Sequence, residues 1–305
     1  MADVRVIRFM RYRRLMAVLS GTIVLVGLVA IVLKGLNLGL DFTGGTSVEF
    51  RFAQAAHQAE VSRALDEAGY EDAVVQYLGD ATSIQVRLPN QPGDAASVAQ
   101  RMAEAVSSPA NPARVMQVDS VGAQIGDELY LNSLIAVGLS LAMMMAYVSI
   151  RYQYKFAIGA VLSLVHDVLF TVGLFALFGL PFDLTVLAAV LALIGYSLND
   201  TVVVFDRIRE NFRKLRKADT VEVIDISLTE TLSRTINTVL TVVLVVLALL
   251  FVGGPALHWF AVALLIGLFA GTYSSIYIAT AYALFAGISR DDFIVQVKKA
   301  EDELP

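Results

Sequence analysis

The sequence has no cysteine in its 305 residues. A disulfide, a thiolate nucleophile and a cysteine metal ligand are therefore excluded. Histidine is also scarce, and His57, His166 and His258 lie too far apart in sequence to show metal-ligand spacing. The polar segment 34–128 carries no paired catalytic acids, no Ser-His-Asp set and no nucleotide-binding loop. We therefore expect no metal, no cofactor and no enzymatic activity.

Charged residues are few, at 17% of the chain, whereas hydrophobic residues make up 57% and the mean hydropathy is +0.67. A soluble domain usually carries about 25% charged residues. The net charge of −5 says little about function, because the charged residues are distributed unevenly among the loops. This composition is typical of a membrane protein.

Six apolar stretches reach the length of about 20 residues that a membrane-spanning helix needs. We place them at Leu15–Leu33, Leu129–Ile150, Phe156–Leu177, Leu184–Phe205, Leu232–Val252 and Phe260–Phe285. The first follows a basic start but has too long an apolar core and no cleavage site for a signal peptide, so we interpret it as an uncleaved anchor.

The basic residues indicate how these helices are oriented. Lys and Arg gather before the first span, between spans two and three, and in residues 206–231, whereas Gly179–Asp183 and Gly253–His258 contain none. By the positive-inside rule, the tails 1–14 and 286–305 and loop 206–231 are expected in the cytoplasm, with 34–128 outside. The run Arg207–Lys217 fits a juxtamembrane segment better than a nucleic-acid site.

Residues 34–128 are polar enough to fold in water. Their pattern predicts strands at Thr46–Phe52, Ala73–Leu78, Thr82–Leu88 and Arg114–Val121, and helices over Gln58–Gly69 and from Asp94 through Val106. The order β-α-β-β-α-β is that of a small ferredoxin-like α+β domain. We expect it to lie between the first two spans of the bundle.

Asp200 is the residue that most strongly indicates function. It lies inside the fourth apolar run, where a carboxylate costs about 2.5–3.5 kcal/mol on insertion scales, and Asn199 beside it adds a second polar group. Such a position is by default an ion or proton site that faces the bundle interior. The alternative is a polar group that only holds two helices together.

Other polar residues in the spans leave two alternatives each. His166 and Asp167, near the middle of span three, form either a proton relay or a polar clamp. Arg234, at the start of span five, either reaches for the headgroups or faces the interior on a stripe of threonines; its depth, similar to that of Asp200, favours the interior. The four-residue spacing of Gly267, Gly271 and Ser275 predicts a helix-packing face.

Several motifs resemble the SecD/SecF family of export membrane proteins, and its SecF branch in particular. Gly39-Leu-Asp-Phe-Thr-Gly-Gly-Thr46 is similar to the family's entry motif, with Asp41, Gly44 and Gly45 as its structural residues. Residues 195–211, GYSLNDTVVVFDRIREN, resemble the span-four signature. Residues 227–235, 251–255 and 271–277 resemble later motifs, so the resemblance covers almost the whole chain.

The resemblance implies a fold, partners and a role. SecF-type chains form half of a twelve-span bundle similar to resistance-nodulation-division exporters, with SecD as the other half. They associate with the SecYEG channel and, indirectly, with the SecA ATPase. They use the proton-motive force to promote late-stage movement of unfolded preproteins across the bacterial inner membrane. The family's span-four acid corresponds to Asp200 and its span-five arginine to Arg234. The chain ends after six spans, so we expect SecD's own acid on another polypeptide.

Two other functions remain open from the sequence. The chain could be a proton-coupled half-transporter of lipids or small hydrophobic molecules, although it has no large porter domain. It could also be a passive assembly factor of the translocon. A passive factor should tolerate Asp200→Asn, whereas a proton carrier should not.

Overall fold

The computed structural model describes residues 6–89 and 94–293. Within these residues, six helical segments are long and apolar enough to cross a membrane, which confirms the predicted class of six-span α-helical protein with a small α+β domain. Their helices are α1 (Arg13–Lys34), α5 (Ala123–Arg151), α6 (Tyr154–Phe178), α7 (Leu184–Lys214), α8 (Thr220–Val252) and α9 (Pro255–Ser274), the last continued by a π-helical turn (Ser275–Ala279) and α10 (Thr280–Phe285).

The segment predicted as loop 206–231 is mostly helix, so that prediction is wrong. Helix α7 continues to Lys214 and α8 already begins at Thr220, which leaves a turn of residues 215–219. Asp219 caps α8 by accepting a hydrogen bond from the Glu222 amide at 2.6 Å. The first turns of α8 are not apolar throughout, but they bury one hydrophobic face, and a hydropathy window does not detect an amphipathic face. The buried residues are Val223, Ile224 and Leu228.

The segment before α1 packs against the bundle. Phe9–Tyr12 forms a 3₁₀ turn, and the Met10 side chain is fully buried. The Met10 amide donates to Asp225 Oδ1 of α8 at 2.9 Å. Residues 9–12 therefore belong to the folded bundle, whereas the sequence predicted a tail over 1–14.

The sheet domain follows the predicted order of elements. Its strands are β2 (Gly45–Phe52), β3 (Val74–Leu78), β4 (Asp80–Leu88) and β5 (Ala113–Val121), and its helices are α3 (Gln58–Glu67) and α4 (Ala95–Val106). All neighbouring strands are antiparallel, in the order β3-β4-β2-β5, which is compatible with the ferredoxin-like arrangement. Alternate residues of β2, Val48, Phe50 and Phe52, are buried against the helices.

A short junction joins the sheet domain to the bundle. Strand β1 (Asn37–Leu38) pairs in parallel with β6 (Pro181–Phe182), and the single helical turn α2 (Leu40–Thr43) follows. Arg87 of β4 donates to the Leu38 carbonyl oxygen at 2.9 Å and to Asn37 Oδ1 at 2.8 Å. Burial lowers the pKa of Arg87, and the charge of Asp183 opposes that shift. The domain is thus held against the ends of α1 and α7.

Candidate functional site

Asp200 lies on the buried side of α7, with 3% of its surface exposed. Ser197, three residues earlier and thus on the same side of the helix, is also buried, as is the next residue, Thr201. Within the described residues, no hydrogen-bond donor reaches the Asp200 carboxylate and no cation lies within 4.0 Å of it. A carboxylate without such partners is costly in an apolar environment, which is typical of a group that changes its protonation state.

Arg234 is the charged side chain whose field acts on Asp200. Arg234 is exposed on the surface of α8, and its side chain forms no ion pair in the part of the chain described. Arg234 is therefore not enclosed by the six spans of this chain, and its place in the interior of a larger bundle stays a prediction. Thr231 and Thr235 occupy the buried side of α8, and Arg234 lies at its edge. The true start of α8, at Thr220, also places Arg234 well inside the helix instead of in its first turn.

Asn199 faces away from Asp200. Successive residues on an α-helix point about 100° apart, and here the rotation that buries Asp200 leaves Asn199 exposed. Asn199 is exposed on the side of α7 that also carries Ala192 and Gly195. The structure therefore does not bring the Asn199 and Asp200 side chains together.

His166 and Asp167 of α6 form a buried polar cluster. The His166 Nδ1 lies 3.0 Å from Asp167 Oδ1, while Ser197 of α7 and Ser274 of α9 donate to Asp167 Oδ2 at 2.6 and 2.8 Å. Ser163 donates in turn to the Ser274 hydroxyl at 2.7 Å. One carboxylate thus joins three helices.

The sequence analysis missed the three serines of this cluster. A serine in an apolar helix usually bonds to its own backbone and carries no signal alone. Ser163 and Asp167 are four residues apart and thus on one face of α6. This spacing was the one sequence signal that linked a serine to Asp167. Ser197 stands in the span-four signature, but only the packing of α7 and α9 on α6 shows that it contacts Asp167.

Two small residues let α9 approach α7 closely. A Cβ atom at Gly267 would overlap the Leu193 side chain, and one at Gly271 would lie 3.1 Å from Ser197 Cβ. Ser275 donates to the Thr272 carbonyl of its own helix instead, and the adjacent Ser274 is the serine that reaches Asp167. The close contact at Gly271 brings Ser197 to the buried cluster.

The residues of the entry motif act at the junction. Asp41 Oδ2 accepts a hydrogen bond from the Leu184 amide at 3.1 Å, at the start of the helix that carries Asp200. Gly44 and Gly45 both have positive φ, of +65° and +116°. A Cβ atom on Gly44 would lie 2.8 Å from Ala123 Cα at the start of α5. The motif therefore fits a close approach between the sheet domain and two spanning helices.

In the described residues, no group of three or more His, Cys, Asp or Glu side chains could hold a metal ion. The chemistry that this arrangement offers is the binding and release of protons by buried carboxyl and imidazole groups. Six candidate spans, buried titratable groups and a small sheet domain define a multi-pass α-helical membrane protein.

The chain belongs to the SecD/SecF family of protein export membrane proteins. Residues 101–288 match the family described as "Protein export membrane protein SecD/SecF, C-terminal", and residues 29–56 match the "SecD/SecF GG Motif". A similar protein is the protein translocase subunit SecF of Pseudomonas aeruginosa, with 46% identity over 98% of each chain. That of Haemophilus influenzae has 42% identity over 97% of this chain and 91% of its own.

Solved structures agree with this assignment. The crystal structure of SecDF, a translocon-associated membrane protein from Thermus thermophilus, superposes with a TM-score of 0.86 and 35% identity. The match covers 94% of this chain and 39% of the SecDF chain. SecDF in its super-membrane-facing form superposes with a TM-score of 0.69 over 92% of this chain.

Proposed function

We propose that this chain is the SecF-type subunit of a bacterial protein-export complex. Together with a six-span SecD partner it uses the proton-motive force to promote late-stage movement of unfolded preproteins through SecYEG, after SecA has started them. The inner membrane is its location, with both termini in the cytoplasm and the sheet domain outside. The near full-length similarity to SecF translocase subunits is the observation that supports the export role.

The proton-coupling part of the proposal depends on Asp200. Its carboxylate is buried in a spanning helix without a hydrogen bond or an ion pair in the described residues. One proton moving down a gradient of 100 mV releases about 2.3 kcal/mol. A carboxyl group that alternates between charged and neutral states can convert that energy into a change in helix packing.

Arg234 supports the involvement of a second polypeptide. An arginine exposed on a spanning helix needs an acidic partner, water or a route to the headgroups. We propose that the partner covers this face of α8 and the Asn199 side of α7. When Arg234 approaches Asp200 it stabilises the carboxylate, and when it moves away it favours proton uptake.

The test measures export into inverted membrane vesicles that contain the whole complex, with and without an imposed proton gradient. Asp200→Asn should leave insertion and partner binding intact but abolish most of the gradient-dependent gain, because an amide does not bind a proton at neutral pH. Arg234→Ala should do likewise, and Arg234→Lys should recover part of the gain, since the charge is kept.

Asp206→Asn is the matched control on the same helix. Its carboxylate lies 4.0 Å from Arg151, and both side chains are about half exposed, at 47% and 54%. Exposed pairs of this kind contribute little, so the gradient-dependent gain should persist. If Asp200→Asn keeps the full gain at equal protein levels, Asp200 carries no essential proton and a passive assembly factor becomes the better interpretation.

A further inference from the structure

The buried cluster around Asp167 is separate from the contacts that Asp200 makes, and the proposed function leaves it unused. His166 is 8% exposed, Asp167 1%, Ser197 1% and Ser274 0%. A cluster that only needed to lock helices together would not require an ionisable pair, because serine and asparagine can form interhelical hydrogen bonds. The question is which group of the cluster binds a proton.

Asp167 has the surroundings of a permanent acceptor. Its Oδ2 accepts from two serine hydroxyls, at 2.6 and 2.8 Å, and its Oδ1 faces the His166 Nδ1 at 3.0 Å. A carboxylic acid would have to donate its own proton from Oδ2 to Ser274, whose single hydrogen would then go to the Gly271 carbonyl at 3.1 Å. An ionised carboxylate with a proton on His166 Nδ1 satisfies all three contacts at their shorter distances, and each serine then donates to Asp167.

His166 has the surroundings of an imidazolium. Its ring is stacked on Phe170 with centroids 6.0 Å apart and lies 6.0 Å from the ring of Tyr273. Aromatic faces at about this distance attract a cation. Its Nε2 has no hydrogen-bond partner in the part of the chain described, so that nitrogen is available to gain a proton.

We propose that His166 and Asp167 form a proton-binding site in which the imidazole takes up the proton at Nε2 while Asp167 stays ionised and clamps α6, α7 and α9. Uptake of the proton changes the net charge of the pair from −1 to 0. It forms an N–H bond at Nε2 and breaks an O–H bond of the water species that delivers the proton. The site belongs to this chain alone and does not depend on the export function.

A second feature connects this site to helix movement. Ser274 is the last residue of α9 before the π-helical turn Ser275–Ala279. Such turns break the regular hydrogen-bond ladder and occur often at functional sites. One turn from Asp167 on the same face of α6, the buried Thr171 Oγ1 has no hydrogen-bond partner among the described residues. The clamp thus lies where the backbone of the last span can shift.

Few other titratable groups face the pair. Helix α9 contributes Tyr273, whose hydroxyl accepts from Ser20 Oγ at 2.8 Å and donates to the Met16 carbonyl at 2.7 Å. Helix α7 contributes Asp200, three residues after Ser197, and α1 has no titratable side chain between Arg14 and Lys34. The charge nearest to His166 is therefore that of Asp167.

The test is a pH titration of the full chain in lipid nanodiscs, followed by ¹⁵N NMR of labelled histidine. The chain has three histidines, so His57→Gln and His258→Gln leave His166 as the single signal. We expect one proton to bind as the pH falls, and the midpoint of this change is the quantity compared among the variants. Asp167→Asn should lower the midpoint by at least about one unit, because the charge that favours the imidazolium is lost.

Adjacent serines provide a matched pair of variants for the case in which Asp167→Asn fails to fold. Ser274→Ala should raise the midpoint, since a carboxylate that loses a donor exerts a stronger field on His166. Ser275→Ala removes an equally buried hydroxyl that bonds only to its own helix and should leave the midpoint unchanged. Asp200→Asn should move it by less than about half a unit, because Asp200 does not contact the pair.

Two results would overturn the proposal. The first is a His166 signal that does not titrate between about pH 4 and about pH 9. The second is a midpoint that Ser274→Ala and Ser275→Ala shift equally, which would mean that the cluster is a polar clamp without its own proton.

Discussion

Gly45 shows how a single residue can be fixed by the backbone around it. It begins β2 beside Leu88 of β4, and a Cβ atom at this position would overlap the Leu88 carbonyl oxygen. Its φ of +116° is also rarely adopted by residues with a side chain. Both the conformation and the space therefore require glycine.

Gly45→Ala should lower the stability of the chain by at least about 2 kcal/mol, because the strand must move away from Leu88 or stay strained. Gly79→Ala is the control, since its φ of +84° is similar but no atom lies within 4 Å of the added carbon. We expect Gly79→Ala to lower the stability by about 1 kcal/mol, because only the backbone conformation is strained there. Thermal unfolding in detergent, followed by circular dichroism, measures both. Equal shifts would contradict a steric role for Gly45.

At the scale of the element, α7 begins with acidic caps from two parts of the chain. Its own N-cap, Asp183, accepts from the Val186 amide at 2.9 Å, and Asp41 accepts from the Leu184 amide at 3.1 Å. Both carboxylates satisfy free amides and complement the positive end of the helix dipole. The entry motif is therefore physically tied to the helix that carries Asp200.

Asp41→Ala should destabilise the chain by about 1 kcal/mol through loss of this cap, with Asp41→Asn intermediate, because it keeps an acceptor but no charge. Asp127→Ala is the control, since Asp127 is exposed near the start of α5 and makes no hydrogen bond through its side chain in the described residues. It should change stability by less than about 0.5 kcal/mol. The same thermal assay applies, and an Asp41→Ala variant as stable as Asp127→Ala would exclude the cap.

At the scale of the whole molecule, the described residues form several well-packed hydrophobic cores and leave several helix faces uncovered. The core of the sheet domain is closed within the domain, and a second core lies among α6, α7 and the first turns of α8. In contrast, only 17%, 11% and 11% of the most apolar stretch of the first, second and fifth spans is buried within the described residues. In a membrane these faces meet lipid or a partner, so the bundle has surface left for a second set of helices.

The orientation of the molecule is a prediction at this scale. In the cysteine-free chain, Ala81→Cys places a thiol at an exposed position of the sheet domain, and Lys217→Cys places one in the exposed turn between α7 and α8. In intact cells without their outer barrier, an impermeant thiol reagent should label residue 81 and not residue 217. Lysed cells provide the control, where both should react. Labelling of residue 217 in intact cells would reverse the topology.

The sequence by itself determined the class of protein, the number of spans and the order of elements in the sheet domain. These follow from local properties: an apolar run long enough to cross a bilayer, alternation in strands, and turn residues between them. It also singled out Asp200, because a carboxylate in an apolar run needs no tertiary information to be noticed.

Only the tertiary structure decided which polar side chains meet. Helix α8 starts at Thr220 because its amphipathic first turns find a core to pack on, and the rotation that buries Thr231 and Thr235 leaves Arg234 on the surface. Asn199 and Asp200 are neighbours in sequence but point apart, whereas Ser197 and Ser274 are far apart and share one carboxylate oxygen. Contacts between helices depend on the angle at which the helices cross and on the rotation of each helix about its axis. A hydropathy pattern predicts only which face of a helix is apolar.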